Sequence, residues 1–242
     1  MAGRLHDRTA LVTGASSGIG AAIAEMFIAE GARVMMAARR RDRMEAIAAR
    51  APSNARPLVH VMDVRREADI LSAFAALDRN FGHLDILINC AGLADHTPTE
   101  ELPLTRWQEI IETNLTSCFL CSREALKRMK PRGRGRIINI GSISAKSPRP
   151  HAIGYTSTKF ALEGMTRSLA LDGRDFGIAV SILHPGSTKT ELAPGMAARS
   201  SRQSMDARDV ARAATLMASL PDDTNLLEAM LLPLGQPFLG RG

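Results

Sequence analysis

Short apolar runs alternate with longer amphipathic runs along nearly the whole chain. Thr9–Thr13, Arg33–Ala38, Leu58–Met62, Leu84–Ile88, Arg136–Gly141 and Ile178–Leu183 have the length and apolar character of strands, and a last strand is predicted at about Leu227–Leu232. Between them the apolar spacing predicts helices over Ala21–Glu30, 41–50, Glu67–Phe81, Thr105–Met129 and Ile153–Asp172, with a further helix from an Asp206 N-cap to about Ser219. Regular alternation of strands and helices implies βαβ units. The predicted fold class is α/β, a doubly wound parallel sheet of about seven strands with helices on both faces. At 242 residues the chain has the size of one larger α/β domain spanning 1–242. Residues 187–204 have no clean period and read as a flexible flap.

The first strand runs into Gly14-Ala15-Ser16-Ser17-Gly18-Ile19-Gly20 and then into a helix. Glycines at such a turn let the backbone approach a pyrophosphate, and the free N–H groups of the helix N-terminus favour an anion. Gly14, Ser16, Ser17, Gly18, Ile19 and Gly20 are therefore candidate cofactor-binding residues in a Rossmann-like fold. The spacing is G-x-x-x-G-x-G, not the commoner G-x-G-x-x-G. Gly14–Gly18 also fits G-x-S-x-G, but a nucleophile elbow needs an earlier strand and loop for its oxyanion hole, and only one strand precedes it.

An NAD site would place Asp or Glu about twenty residues beyond the glycines. This chain has Ala38 followed by Arg39, Arg40 and Arg41, with Arg43 close behind. A guanidinium fork there suits a 2′-phosphate. The competing reading is a solvated basic helix start, where cations are mildly unfavourable. Arg39 and Arg40 are taken as phosphate contacts and NADP (NADPH) as the expected cofactor.

Composition changes this picture little. No apolar run reaches the ~18 residues of a membrane helix, and Met1–Asp7 lack an apolar signal core, so a cytoplasmic protein with no membrane partner is expected. The net charge is +6. The densest basic run, Lys127 to Arg136, enters a strand at its N-terminal end, away from the edge where open α/β sheets bind ligands. No aromatic residues interleave with it, so it reads as a solvated loop and no nucleic-acid partner is expected. Cys118 and Cys121 form a C-x-x-C with no second cluster, so they read as small residues on a packed helix face, and no metal site is expected.

Tyr155 and Lys159 lie four residues apart on a predicted helix, and Ser142 lies thirteen residues before the tyrosine. Positions i and i+4 share a helix face. A phenol supplies little phenolate at neutral pH, and a nearby ammonium favours that form. Ser142 can then hydrogen-bond a substrate oxygen while Tyr155 gives or takes the proton.

In order, Thr13-Gly14…Gly18…Gly20, Asp63-Val64, Asn89…Ala91-Gly92, Asn114, Ser142, Tyr155…Lys159 and Pro185-Gly186…Thr190 resemble the short-chain dehydrogenase/reductase family, in its short single-domain branch. The resemblance runs from about Arg4 to Leu232. It implies that Asp63 and Val64 contact the adenine, and that Asn89, Ala91 and Gly92 form a strand-end turn beside the cofactor. It further implies that Asn114 bends its helix and holds a proton-relay water, and that Lys159 grips the nicotinamide ribose. Pro185, Gly186, Thr188 and Thr190 would flank the nicotinamide. The family's habit of packing the helices of Asn114 and Tyr155 across a subunit interface implies a homotetramer or homodimer. Two departures stand out: Cys90 replaces a common Asn, and Leu232-Pro233-Leu234-Gly235-Gln236-Pro237-Phe238 replaces a Gly-rich ending.

The expected function is an NADP(H)-dependent oxidoreductase interconverting a carbonyl and a secondary alcohol, with a small-molecule substrate. The alternatives are a lyase or epimerase on the same fold and a non-catalytic NADP-binding regulator. His96, Lys146, Arg149 and His151 follow strand ends on the catalytic side. They lean towards a polar or anionic carbonyl compound such as a keto acid, or they are solvated loop charges.

Overall fold

A computed structural model describes residues 3–53, 55, 57–192 and 203–238. Seven strands, β1 (Thr9–Thr13), β2 (Arg33–Ala38), β3 (Leu58–Val61), β4 (Ile86–Asn89), β5 (Gly135–Ile140), β6 (Ile178–Pro185) and β7 (Glu228–Leu231), form one sheet in the order β3-β2-β1-β4-β5-β6-β7. Every pairing is parallel, with Thr13 opposite Ala37 and Val12 opposite Ile88. The helices are α1 (Gly18–Ala29), α2 (Arg41–Ala49), α3 (Glu67–Phe81), α4 (Leu104–Ile111), α5 (Ser117–Met129), α6 (Ile153–Arg174) and α7 (Ala207–Ser219).

The strands read as continuous apolar runs because both faces of the sheet are covered. Ala10, Val12, Val34, Met36, Ile86, Ile88 and Ile138 pack on α1, α2 and α7. Their neighbours Leu11, Met35, Leu87 and Ile137 point the other way, onto α3, α5 and the Leu169 end of α6. The alternation is the period-2 pleat of a strand, expressed between two cores.

Two expectations need correction. The run Thr105–Met129 is not one helix: a π-helical turn at Glu112–Thr116 separates α4 from α5. The buried Asn114 sits in that turn, with its side chain bonded outside the helix. The basic run before β5 is also not merely a solvated loop. Arg136 is 5 % exposed and donates to the carbonyls of Leu220, Pro221 and Thr224, tying the start of β5 to the segment after α7. Arg128 pairs with Asp78 and Glu124, and Arg132 with Asp85. The proposed flap falls largely on residues 193–202, outside those described. Its near ends are anchored, since Lys189 N donates to Met205 O and Met205 N donates to Ser187 O.

Asp85 closes the sheet edge opposite the glycine turn. Its carboxylate accepts from the Thr9 amide at 2.9 Å and from Arg132 at 3.0 Å, with the His83 ring at 3.1 Å. Burial opposes its ionisation, but these hydrogen bonds and the charges of His83 and Arg132 outweigh it and hold the carboxyl below its usual range. A depressed folded value means stability that is full above the unfolded pKa of about 4 and is lost as pH falls through the folded one. Asp85→Asn should cost about 1–3 kcal/mol at neutral pH. In denaturant titrations across pH 2–7, the gap from wild type should close in acid.

Candidate active site

The strand order reverses direction between β1 and β4, so a crevice opens where their C-terminal ends part. Thr13 and Gly14 leave β1 there, and Cys90-Ala91-Gly92 leave β4. The Thr13 hydroxyl accepts from the amides of Cys90 and Ala91 at 3.0 and 3.1 Å and donates to Ile88 O. Gly14 has φ 68°, and a Cβ on it would stand 2.8 Å from the Ala91 backbone. Only glycine meets both conditions. A Cβ at Gly20 would stand 2.4 Å from the Gly14 carbonyl, so the first turn of α1 also closes directly on the loop.

A cleft of about 490 Å³ extends from this junction along the C-terminal edge. It brings together Gly14, Ser16, Ser17, Gly18, Ile19, Gly20, Arg39, Arg40, Asp63, Val64, Ala91, Gly92, Ser142, Tyr155, Lys159, Pro185, Gly186, Thr188 and Thr190. Asn89 and Asn114 do not line it. Their amides are turned into the protein, Asn89 to Ser122 and Asn139, and Asn114 to Leu93 and Thr158.

At the arginine end, Arg40 donates to Ser17 Oγ at 2.6 Å, to Ser16 Oγ at 3.3 Å and to Glu191 Oε2 at 2.7 Å. Asp63 is held by Arg65, which reaches it at 2.7 Å and also bonds Glu109. That guanidinium is the first cause of the lowered Asp63 pKa. Arg65, Glu109 and Thr113 also line the cleft and were not singled out from sequence. Glu109 and Thr113 had a legible signal: they lie four apart on one helix face, just ahead of Asn114.

At the other end, Lys159 is 5 % exposed and donates from Nζ to the Ile140 carbonyl at 2.8 Å. Its ammonium stands 5.5 Å from the centre of the Tyr155 ring. Ser142 is buried in extended backbone, and its hydroxyl accepts from the Ser144 amide. The fully buried His184 ring lies beneath it, with Nδ1 at 2.9 Å from Ser142 O. The Asn114 amide accepts from Leu93 N at 2.7 Å and donates to Leu93 O and to Thr158 Oγ1, so it joins the π-turn, the loop after β4 and the helix of Tyr155. In the strand-end turn, burial pushes the Cys90 thiol up to about 12, so a neutral group stands where the family often has Asn.

Of the polar residues expected near a substrate, His96 and Arg149 line the cleft, and Lys146 and His151 do not. The Lys146 ammonium lies between Glu163 and Glu228, at 2.7 and 2.6 Å. Those carboxylates and His184 are spaced closely enough to ligate a metal, but Lys146 already places a cation between them. Asp95, the neighbour of His96, is bonded by Thr97 and Arg106, which hold its carboxyl down to about 2. Cys118 and Cys121 are free and buried among core side chains, and burial pushes both thiols up. The atypical tail reaches the cleft wall through Gln236, whose Oε1 accepts from the Ser187 amide at 2.7 Å. Among the described residues no helix is long and apolar enough to cross a membrane.

The family model described as short chain dehydrogenase matches residues 8–200. A 3-alpha-(or 20-beta)-hydroxysteroid dehydrogenase of Mycobacterium bovis is 41 % identical over 192 residues, covering 79 % of this chain and 73 % of the relative. The structure is similar to an alcohol dehydrogenase from the archaeon Thermococcus sibiricus complexed with 5-hydroxy-NADP, with TM-score 0.89 and 27 % identity over 95 % of this chain and 98 % of that one. It is also similar to a 3-ketoacyl-(acyl-carrier-protein) reductase from Brucella melitensis complexed with NADH, with TM-score 0.87 and 27 % identity over 96 % of this chain and all of that one.

The Asn114 junction has a measurable worth. Asn114→Ala strands buried partners on Leu93 and Thr158, so it should lower unfolding stability by about 2–4 kcal/mol. In hydrogen–deuterium exchange, protection should fall first at the Leu93 amide and across Glu112–Thr116. Unchanged protection there would show that the π-turn is held by other contacts.

Proposed function

The chain belongs to the short-chain dehydrogenase/reductase family and is an oxidoreductase, and on that premise we propose that it interconverts a carbonyl and a secondary alcohol with NADP(H), using Tyr155 as general acid/base. The observation that carries this reading is the placement of Tyr155, Lys159 and Ser142 at one end of a cleft whose other end holds the glycine turn and Arg40. The residues present fit a dinucleotide. Gly14 and Gly20 let the loop pack on Ala91 and on the first turn of α1, Ser16, Ser17 and Gly18 line the space for a pyrophosphate, and Asp63 and Val64 border the space for an adenine. Arg39 and Arg40 stand where the 2′-phosphate would lie, with no carboxylate at Ala38 to take the ribose hydroxyls. The bound cofactor supplies or accepts a hydride, and the chain supplies position and proton transfer.

In this reading Tyr155 donates its phenolic proton to the substrate carbonyl oxygen in the reductive direction and takes it back in the oxidative one. Ser142 hydrogen-bonds the same oxygen as charge develops on it. Lys159 holds a positive charge beside the phenol. One of its protons is committed to Ile140 O, which orients the other two towards the cleft and the ribose hydroxyls. Asn114 positions the helix of Tyr155 through Thr158, Asn89 supports the strand-end turn from behind through Ser122 and Asn139, and Ala91, Gly92, Pro185, Gly186, Thr188 and Thr190 line the space for the nicotinamide.

We also read the assembly as a homodimer or homotetramer in the cytoplasm. Ile153, Phe160 and Leu171 expose apolar side chains along one face of α6, and Phe119 does so on α5. Exposed apolar rows of this kind support an interface between copies.

Tyr155→Phe should lower kcat by about 10²–10⁴-fold and leave the cofactor Kd within about twofold of wild type, because only the proton is removed. Near-normal turnover on a substrate found by an NADPH absorbance panel of carbonyl compounds would end the assignment. Arg39→Ala with Arg40→Ala should raise the KM for NADPH about ten- to a hundredfold and leave that for NADH nearly unchanged. A wild-type preference for NADH under matched conditions would return the arginines to a solvated helix start.

A further inference from the structure

We propose that Glu191 is a specificity-determining residue that competes with a 2′-phosphate for Arg40 and Arg43, so that its carboxylate sets how strongly the protein favours NADPH over NADH. The inference rests on the cofactor reading above and adds an opposing element to it. Glu191 lines the cleft, six residues beyond the last residue of β6. Its two oxygens bridge two guanidiniums, Oε2 to Arg40 Nη1 at 2.7 Å and Oε1 to Arg43 Nη1 at 3.3 Å. Arg40 also donates from Nη2 to Ser17 and from Nε to Ser16, the hydroxyls of the glycine turn. Every nitrogen of that fork is thereby engaged, and the one facing an acid is held by Glu191. The arginines hold the Glu191 carboxyl below its usual range, with the Arg40 hydrogen bond as the first cause, so the competitor is charged at neutral pH.

The position of Glu191 is set by its neighbour. A Cβ placed on Gly18 would lie 3.1 Å from the Thr190 side chain, so residue 190 packs against the turn that opens α1. The carboxylate one residue on lies within reach of both arginines. A carboxylate offers acceptor oxygens only, like one edge of a phosphate. A phosphate that takes the Nη1 edge of Arg40 must displace it and then bear its negative charge nearby. NADH carries no phosphate there and leaves the pair intact. The pair is about half exposed on both sides, at 42 % and 52 %, so displacement is feasible and its effect moderate.

The test uses the whole 242-residue chain and direct binding. Kd values for NADPH and NADH are measured by titration calorimetry for wild type and Glu191→Gln, which keeps the shape and removes the charge. NADPH should bind roughly three- to tenfold tighter to the variant, with NADH changed less than about twofold. Adding Glu191→Gln to an Arg40→Ala, Arg43→Ala background should then gain less than about twofold for NADPH. Unchanged or weaker NADPH binding in Glu191→Gln would overturn the proposal. Binding of 2′,5′-ADP against 5′-AMP separates this claim from the cofactor reading. If only the variant prefers 2′,5′-ADP, Glu191 competes as proposed and the wild-type preference for NADPH falls. If neither protein prefers it, both readings fall.

Discussion

The structure turns on a close approach between two strand ends. β1 and β4 run side by side until Thr13 and Asn89, and there the Thr13 hydroxyl takes both amides of the next strand's turn. This brings Gly14 against the Ala91 backbone at a separation that no side chain could share. The two halves of the sheet wind outward from that junction, β2 and β3 to one side and β5, β6 and β7 to the other. The cleft is what remains where the windings diverge, walled by the strand ends on either side of this contact and by side chains of α4, the π-turn and α6.

The two edges of the sheet divide their work. At the N-terminal edge, charge serves the fold: Asp85 binds β1, His83 and Arg132, and Arg136 gathers three carbonyls of the segment after α7. At the C-terminal edge the cations Arg40 and Lys159 face the cleft. Lys146, on the same side, is spent on Glu163 and Glu228. The same residue types thus serve opposite ends, committed to scaffold carbonyls and acids at one edge and keeping a face on the cleft at the other.

Much of this was legible in the chain. The strand runs, the glycine turn and the Tyr155–Lys159 spacing depend on local periodicity, and the structure places them within a few residues of expectation. The π-turn was not legible in the apolar pattern, because apolar positions on either side of Glu112–Thr116 keep a helical period. The break comes from bonds of Asn114 to residues 21 and 44 positions away. The burial of Arg136 was equally hidden, since carbonyls 84 to 88 residues later satisfy it. Lys146 left the expected substrate wall for a similar reason: Glu228 arrives on β7, and nothing near residue 146 announces it. Local rules found the elements and the turn, and long-range pairing decided which polar side chains were free to face the cleft.

The His184 ring carries a consequence for how this sequence can drift. Its Nδ1 meets the backbone of Ser142, and a Cβ on Gly141 would stand 2.5 Å from that same nitrogen. Position 141 is thus closed to every side chain while an imidazole occupies 184. Positions 141 and 184 lie on adjacent strand ends far apart in the chain, yet they share one vote. A lineage can exchange the ring only along a route that keeps Ser142 in register, and it can fill position 141 only after the ring has shrunk. The floor under the serine is therefore a one-sided constraint: the imidazole requires glycine at 141, and glycine at 141 does not require the imidazole.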